Sequence, residues 1–324
     1  MEYIQLGQTD LTVSRLCLGG LSFGEIIAGG HPWPLDQAAS TGMIAHVLDR
    51  GVNFIDTANK YAAGTSELFI GRALRALHVP RERVVLATKV YYNLTTEEHL
   101  TKKAILAEVE GSLRRLQTDY IDLYQIHRFD SATPIEETME ALDTLVREGK
   151  VRYLGASSMY GYQFHNMMLA AERNGFAPFC TMQNHYNLLY REAERELIPV
   201  CRQYGVSLIP YSPLASGHLA RPLSSDATAR SSTDRIAARR YDRTLADDAP
   251  IIDKTADIAR EHQVPMCAVA LAWLLRRGVA APIVGATKVS HFDDALKALD
   301  LQLSDEEMAA LEAPYRPHPV SGAL

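Results

Sequence analysis

Short β-branched runs, each followed by a turn and then by apolar residues at three- and four-residue spacing, recur along the whole chain. This two-beat pattern predicts repeated βα units. The runs that read as strands are residues 15–18, 52–56, 84–89, 121–127, 151–156, 179–183, 207–210 and 282–284. Helical spacing is clear at 104–116, 135–148 and 192–203. Eight strands with helices between them predict an α/β fold, a closed (β/α)8 TIM barrel, with an open doubly wound sheet as the alternative. The stretch GGLSFG after the first strand lacks the GxGxxG spacing that a dinucleotide-binding open sheet requires, which favours the barrel.

Three segments fall outside the repeat. Residues 3–6 and 11–13 flank a polar GQTD and predict an N-terminal β-hairpin that plugs the N-terminal mouth of the barrel. Residues 215–248, rich in Ser, Arg and Asp, are too long for a plain βα connection and read as a loop covering cofactor or substrate. From Ser304, the helical DEEMAALE predicts a C-terminal extra helix, and PYRPHPVSGAL an irregular tail over an edge of the site.

A length of 324 residues suits two ordinary domains or one large barrel, and without a glycine- or proline-rich divider the chain reads as a single domain, 1–324. A net charge of -6 opposes nonspecific attraction to nucleic acid or an anionic membrane, so neither is an expected partner. Cys17, Cys180, Cys201 and Cys267 are scattered without CxxC spacing, which suggests neither a zinc cluster nor a disulfide framework. They read as free thiols in a reducing compartment. The N-terminus MEYIQLGQTD lacks a basic segment followed by an apolar core, and no apolar run reaches membrane-spanning length. The expected location is the cytoplasm.

Active sites of such barrels gather at the C-terminal ends of the strands. There, Asp56 ends the second strand, Tyr61 follows it, Lys89 ends the third and His127 the fourth. Neighbouring strands lie about 4.8 Å apart, so these side chains can converge. Singly, each has an ordinary explanation: a cap, a surface charge, a structural histidine. Together they fit the reduction of a carbonyl by a nicotinamide cofactor, in which the developing alkoxide must be protonated. A free tyrosine, with a pKa of about 10, is a sluggish donor at neutral pH. The Lys89 ammonium would lower that pKa, Asp56 would hold and aim Lys89, and neutral His127 would orient the carbonyl.

At these residues the chain resembles the aldo/keto reductase superfamily. The likeness is carried by GVNFIDTANKYAAGTSELFIGRAL at 51–74, ATKV at 87–90, DLYQIHRFD at 122–130, and then GKVRYLGASSM, MQNHYNLLYRE and LIPYSPLASGHL in order. The segments QLGQTDLTVSRLCLGG and PYRPHPV liken it most to the bacterial YajO-like branch. The resemblance implies a set of cofactor contacts, with Gly20 among them. Ser157, Ser158 and Gln183, with Asn184 beside it, would meet the nicotinamide carboxamide, and Tyr211 would stack on the ring. Ser212, Leu214, Ala215 and Gly217 would wrap the pyrophosphate. Gly285, Thr287, Lys288 and His291 would meet a 2′-phosphate, and Asp294 the adenine. The implied cofactor is NADP(H) rather than NAD(H), although this strip has one lysine and one histidine where many NADP-preferring relatives carry an arginine.

Substrate contacts fall on loops. Trp33 and Tyr91, with Tyr92, are candidate walls for an apolar substrate or ordinary packing residues; Arg128 would meet an anionic group or pair with Asp130. The expected activity is the reduction of a small-molecule aldehyde or ketone, and oligomeric state is not legible. Two other readings compete. One is a nucleotide-binding regulatory subunit with little turnover; the other makes Asp56, His127 and His185 the metal ligands of a barrel hydrolase, without any HxH pair to support it.

Overall fold

A computed structural model describes residues 1–27, 30, 32–225 and 233–321. Two strands, β1 (Tyr3–Gln5) and β2 (Thr12–Ser14), pair antiparallel as a hairpin. Eight more follow: β3 (Cys17–Gly19), β4 (Phe54–Asp56), β5 (Val85–Val90), β6 (Ile121–Ile126), β7 (Val151–Ser157), β8 (Phe179–Gln183), β9 (Ser207–Leu208) and β10 (Ile283–Val284). They form one parallel sheet in the order β10-β3-β4-β5-β6-β7-β8-β9. The N–H groups of Ala280 and Ile283 donate to the carbonyls of Leu208 and Pro210 at 2.9 and 3.0 Å, joining its two ends. The sheet is therefore the closed (β/α)8 barrel expected, and the open-sheet alternative is set aside.

Strand alternation sorts the side chains into two cores. Ile55, Leu86, Tyr124, Leu154 and Met182 point outward and are buried under the helices. Inside, Cys17, Phe54, Val85, Leu123, Cys180 and Ile209 make an apolar layer closed from below by Leu6, Leu11 and Val13 of the hairpin, which is the plug expected. Gly7 turns the hairpin at φ 57°, and a Cβ there would stand 2.7 Å from the Cys180 carbonyl oxygen, so this position requires glycine. All four cysteines are buried and unpaired.

Four helices start at a side chain that accepts from one of their first N–H groups. Asp36, Thr101 and Asp234 cap helices Gln37–Asp49, Lys102–Leu116 and Arg235–Tyr241 by accepting from Ala39, Ala104 and Ala237. Ser304 and Glu307 form a reciprocal box at the start of the added helix Asp305–Glu312. Two expectations are corrected. The segment 192–203 is not one helix but a 3-10 turn, Glu192–Glu194, followed by helix Leu197–Gln203. Pro199 has no N–H to give a preceding carbonyl, and helix Leu197–Gln203 places it in the first turn, where that lack costs least. Likewise 215–248 is not all loop, since helix Arg235–Tyr241 lies in it and helix Leu245–Glu261 begins before its end; residues 226–232 of that segment lie outside the described ones.

The tail behaves as expected as far as Ser321. Its Tyr315 hydroxyl donates to Glu192 at 2.7 Å, His318 Nε2 meets Asp248 at 3.0 Å, and the Ser321 N–H donates to the Tyr190 hydroxyl at 2.8 Å. No helix among the described residues is long and apolar enough to cross a membrane.

Candidate active site

Barrel register brings the inward residues of the upper layer to one level: Asp56 lies opposite Ala87, Lys89 opposite Gln125, and Ser157 opposite Gln183. Lys89, fully buried, donates from Nζ to Asp56 Oδ2 at 2.6 Å and to the Thr57 carbonyl at 2.7 Å, and it reaches the Tyr61 hydroxyl at 3.4 Å. The remaining Asp56 oxygen accepts from the side-chain amides of Gln125 and Gln183, each at 2.9 Å. Those two amides also touch, Gln183 donating to Gln125 Oε1 at 3.2 Å. Asp56 is thus saturated by one cation and two amide donors, an arrangement that makes a buried ion pair tolerable.

This geometry defines each protonation state. Burial alone would drive the proton off Lys89, but the facing Asp56 carboxylate and Tyr61 outweigh it and hold its pKa above the usual lysine value. For Tyr61, burial raises the pKa and the Lys89 charge lowers it, with burial the larger. The expectation that Lys89 leaves Tyr61 with a lowered pKa is therefore corrected: Lys89 acts in the expected direction, yet the hydroxyl stays more firmly protonated than a free tyrosine. The proton is thus held in place, and Lys89 is the group that works against burial to ease its release.

His127 closes the group, its ring edge-on to Tyr61 at 5.8 Å and to Tyr92 at 5.5 Å. Burial, and then Lys89, Lys60 and Arg128, push its pKa well below the ordinary histidine value, so the imidazole is neutral, as expected. Its Nδ1 is buried without a hydrogen-bond partner among the described residues. A histidine with a depressed folded pKa stabilises the fold above its unfolded pKa, about 6.5, and that contribution is lost as the pH falls. The melting temperature is accordingly expected to drop on acidification below about pH 6.5, with a shallower slope in His127→Asn; equal slopes in calorimetric scans of both proteins would contradict this.

Around the group lie the residues implied as cofactor contacts. Ser157 is buried, its Oγ 3.1 Å from that of Ser158. Tyr211 donates its N–H to the Asn184 carbonyl at 3.0 Å and stacks one face on His185 at 5.4 Å. The Tyr211 hydroxyl and Asn184 Oδ1 are buried without hydrogen-bond partners among the described residues. Of the nine non-glycine residues at positive φ among the described residues, six are Ala62, Ala63, Ser158, Ser212, Ala215 and Ser216, all after barrel strands. Each such residue costs about 1 kcal/mol or more, and strain gathered in this way points to a functional rim.

Other implied contacts are less open. Ala215 and Gly217 donate their N–H groups to the carbonyls of Ser212 and Leu214, inside the turn. Gly20 sits tightly, where a Cβ would lie 3.1 Å from Asp56, Ser66 and Ile70 atoms. Gly285, Lys288 and His291 are exposed and Thr287 half-buried about the start of helix Val289–Leu296, while Asp294 is ion-paired with Lys297 at 2.8 Å. Among the substrate candidates, Tyr91 stacks on His99 at 4.2 Å, one ring removed from the site, and Tyr92 is the ring that meets His127. Trp33 is half-buried. Asp130 is occupied by Leu100, Ala132 and Thr133, which disfavours the Arg128–Asp130 pairing.

Sequence reasoning missed Gln125, Asn187 and Lys60. Gln125 sits at the inward period-two position between Leu123 and His127, the one signal that could have found it. Asn187 ties the Ser212 carbonyl at 2.8 Å and the Tyr241 hydroxyl at 3.1 Å, fastening the covering segment to the barrel. The metal reading is set aside on geometry: the Asp56 oxygens are taken, and His185 bonds Tyr241 at 2.7 Å while stacked on Tyr190 at 4.1 Å. No three metal-ligating side chains converge among the described residues.

Residues 15–316 match the model of the aldo/keto reductase family. The chain is 42% identical to aldo-keto reductase AMT2 of Alternaria alternata, the match covering 99% of this chain and 93% of that protein. It is 41% identical to aldo-keto reductase dtxS3 of Metarhizium robertsii (99% and 93% covered) and 40% identical to versiconal hemiacetal acetate reductase of Aspergillus parasiticus (98% of each).

Proposed function

This chain belongs to the aldo/keto reductase family and is an NAD(P)H-dependent oxidoreductase, and from that premise we propose that it reduces an aldehyde or ketone to the alcohol with NADP(H), Tyr61 acting as general acid. The observation that carries this reading is the buried Lys89 ammonium, shared between Asp56 at 2.6 Å and the Tyr61 hydroxyl at 3.4 Å. It is the one arrangement here that makes a protonated phenol able to release its proton on demand. His127, neutral, orients the substrate oxygen toward Tyr61. Ser157, Ser158, Asn184 and Gln183 would hold the nicotinamide carboxamide and Tyr211 its ring; Ser212, Leu214, Ala215 and Gly217 would line the pyrophosphate. When bound, the cofactor supplies a hydride to the carbonyl carbon. Tyr61 then gives its proton to the carbonyl oxygen while Lys89, held by Asp56, stabilises the phenolate left behind.

Preference for NADP(H) rests on Lys288, exposed at the start of helix Val289–Leu296, with Thr287 and His291 beside it. We further read the chain as a single cytoplasmic domain, 1–324, and its QLGQTDLTVSRLCLGG and PYRPHPV segments as kin to the bacterial YajO-like branch. The test is NADPH consumption on adding simple aromatic and aliphatic aldehydes, with versiconal hemiacetal acetate included on the strength of the Aspergillus relative's name. Turnover is expected, and Lys288→Met should raise KM for NADPH about tenfold with little change for NADH. Tight NADPH binding without turnover on any carbonyl would instead favour the regulatory-subunit reading.

A further inference from the structure

Lys60 precedes the acid Tyr61 directly and is solvent-accessible, yet its ammonium is not free to wander. It lies 3.4 Å from the centroid of the Tyr92 ring, and that ring stands edge-on to His127 at 5.5 Å. A cation–π contact this close orients the charge without neutralising it. No carboxylate among the described residues pairs with Lys60. The acid nearest in the chain, Asp56, is committed to Lys89. Arg128, beside His127, adds a second positive charge close enough to depress the Lys60 pKa, burial being the larger cause. With Lys89 balanced by Asp56, the Lys60 ammonium is a charge beside the catalytic group that no described carboxylate pairs.

We propose that Lys60, aimed by Tyr92 and reinforced by Arg128, is a specificity-determining residue that recruits carbonyl substrates bearing an anionic substituent, a carboxylate or phosphate, with the reactive carbonyl at Tyr61 and His127. The inference rests on the reductase reading above and deepens it to a substrate class. Its chemical logic is that an anion seated one ring away from the acid compensates a charge the fold leaves unbalanced. A neutral aldehyde of the same shape leaves that charge as it was.

The test compares kcat/KM in two matched pairs, para-carboxybenzaldehyde against benzaldehyde and glyceraldehyde phosphate against glyceraldehyde, in wild type, Lys60→Met and Lys60→Arg. The wild-type protein should prefer the anionic member of at least one pair, the carboxylate and phosphate arms telling the two sources apart. In Lys60→Met that ratio should fall about fivefold or more, mostly through KM, while Lys60→Arg keeps it. The preference should also shrink as salt is raised. Turnover of the neutral aldehydes with no anion preference, or a ratio unmoved in Lys60→Met, overturns the inference and leaves the reductase reading standing. Absence of turnover on all four aldehydes overturns both.

Discussion

Tyr61→Phe is expected to lower kcat for aldehyde reduction by about a thousandfold while leaving the Kd for NADPH close to wild type. The phenol is the only donor in the group that is both protonated and in contact with an ammonium able to stabilise its conjugate base, Lys89 at 3.4 Å. Removing one oxygen deletes that proton and leaves the ring edge against His127 at 5.8 Å, so the pocket keeps its shape. The residues read as nicotinamide contacts lie on other strand ends, which is why affinity should hold. Single-turnover kinetics with NADPH and benzaldehyde separate the two quantities. Near-normal kcat would move the acid's role to His127, whose depressed pKa makes it a poor source of protons near neutrality.

Much of this site was legible because strand ends are marked by their own local pattern. Asp56, Lys89 and His127 each close a β-branched run, and the barrel's register then does the convergence that spacing predicts. Gln125 escaped for a physical reason. A glutamine in a strand ordinarily suggests a solvated face, and only closure of the sheet puts Asp56 and Gln183 opposite it in the interior. The sign of the Tyr61 shift escaped for another: charges can be read from residue types, but depth of burial cannot, and here burial exceeds the effect of Lys89. Lys60 was invisible because nothing in its sequence position says that Tyr92, over thirty residues away, will fix its ammonium above a ring. The helix break before Leu197, two residues ahead of Pro199, is masked in the sequence by apolar spacing that runs through it.

Lys89→Met should be the most damaging single change, and in two separable ways. It strips the cation from Asp56, a carboxylate buried at the barrel's centre, and breaking a buried pair by removing one partner costs about 3–5 kcal/mol. The amides of Gln125 and Gln183 still donate to Oδ1 and cushion part of that loss. It also removes the one charge that opposes the effect of burial on Tyr61, so the phenol's pKa climbs further. A weaker acid slows reduction. In the reverse direction, where Tyr61 must accept a proton after ionising, the rise of alcohol oxidation with pH should move to higher pH than in wild type. Asp56→Asn combined with Lys89→Met separates fold from chemistry, because an amide in place of the carboxylate leaves no charge unpaired. The double variant is expected to recover most of the melting temperature lost by Lys89→Met and none of the turnover. Recovery of turnover along with stability would mean that the ammonium serves only to keep Asp56 company, and that Tyr61 is activated by something other than Lys89.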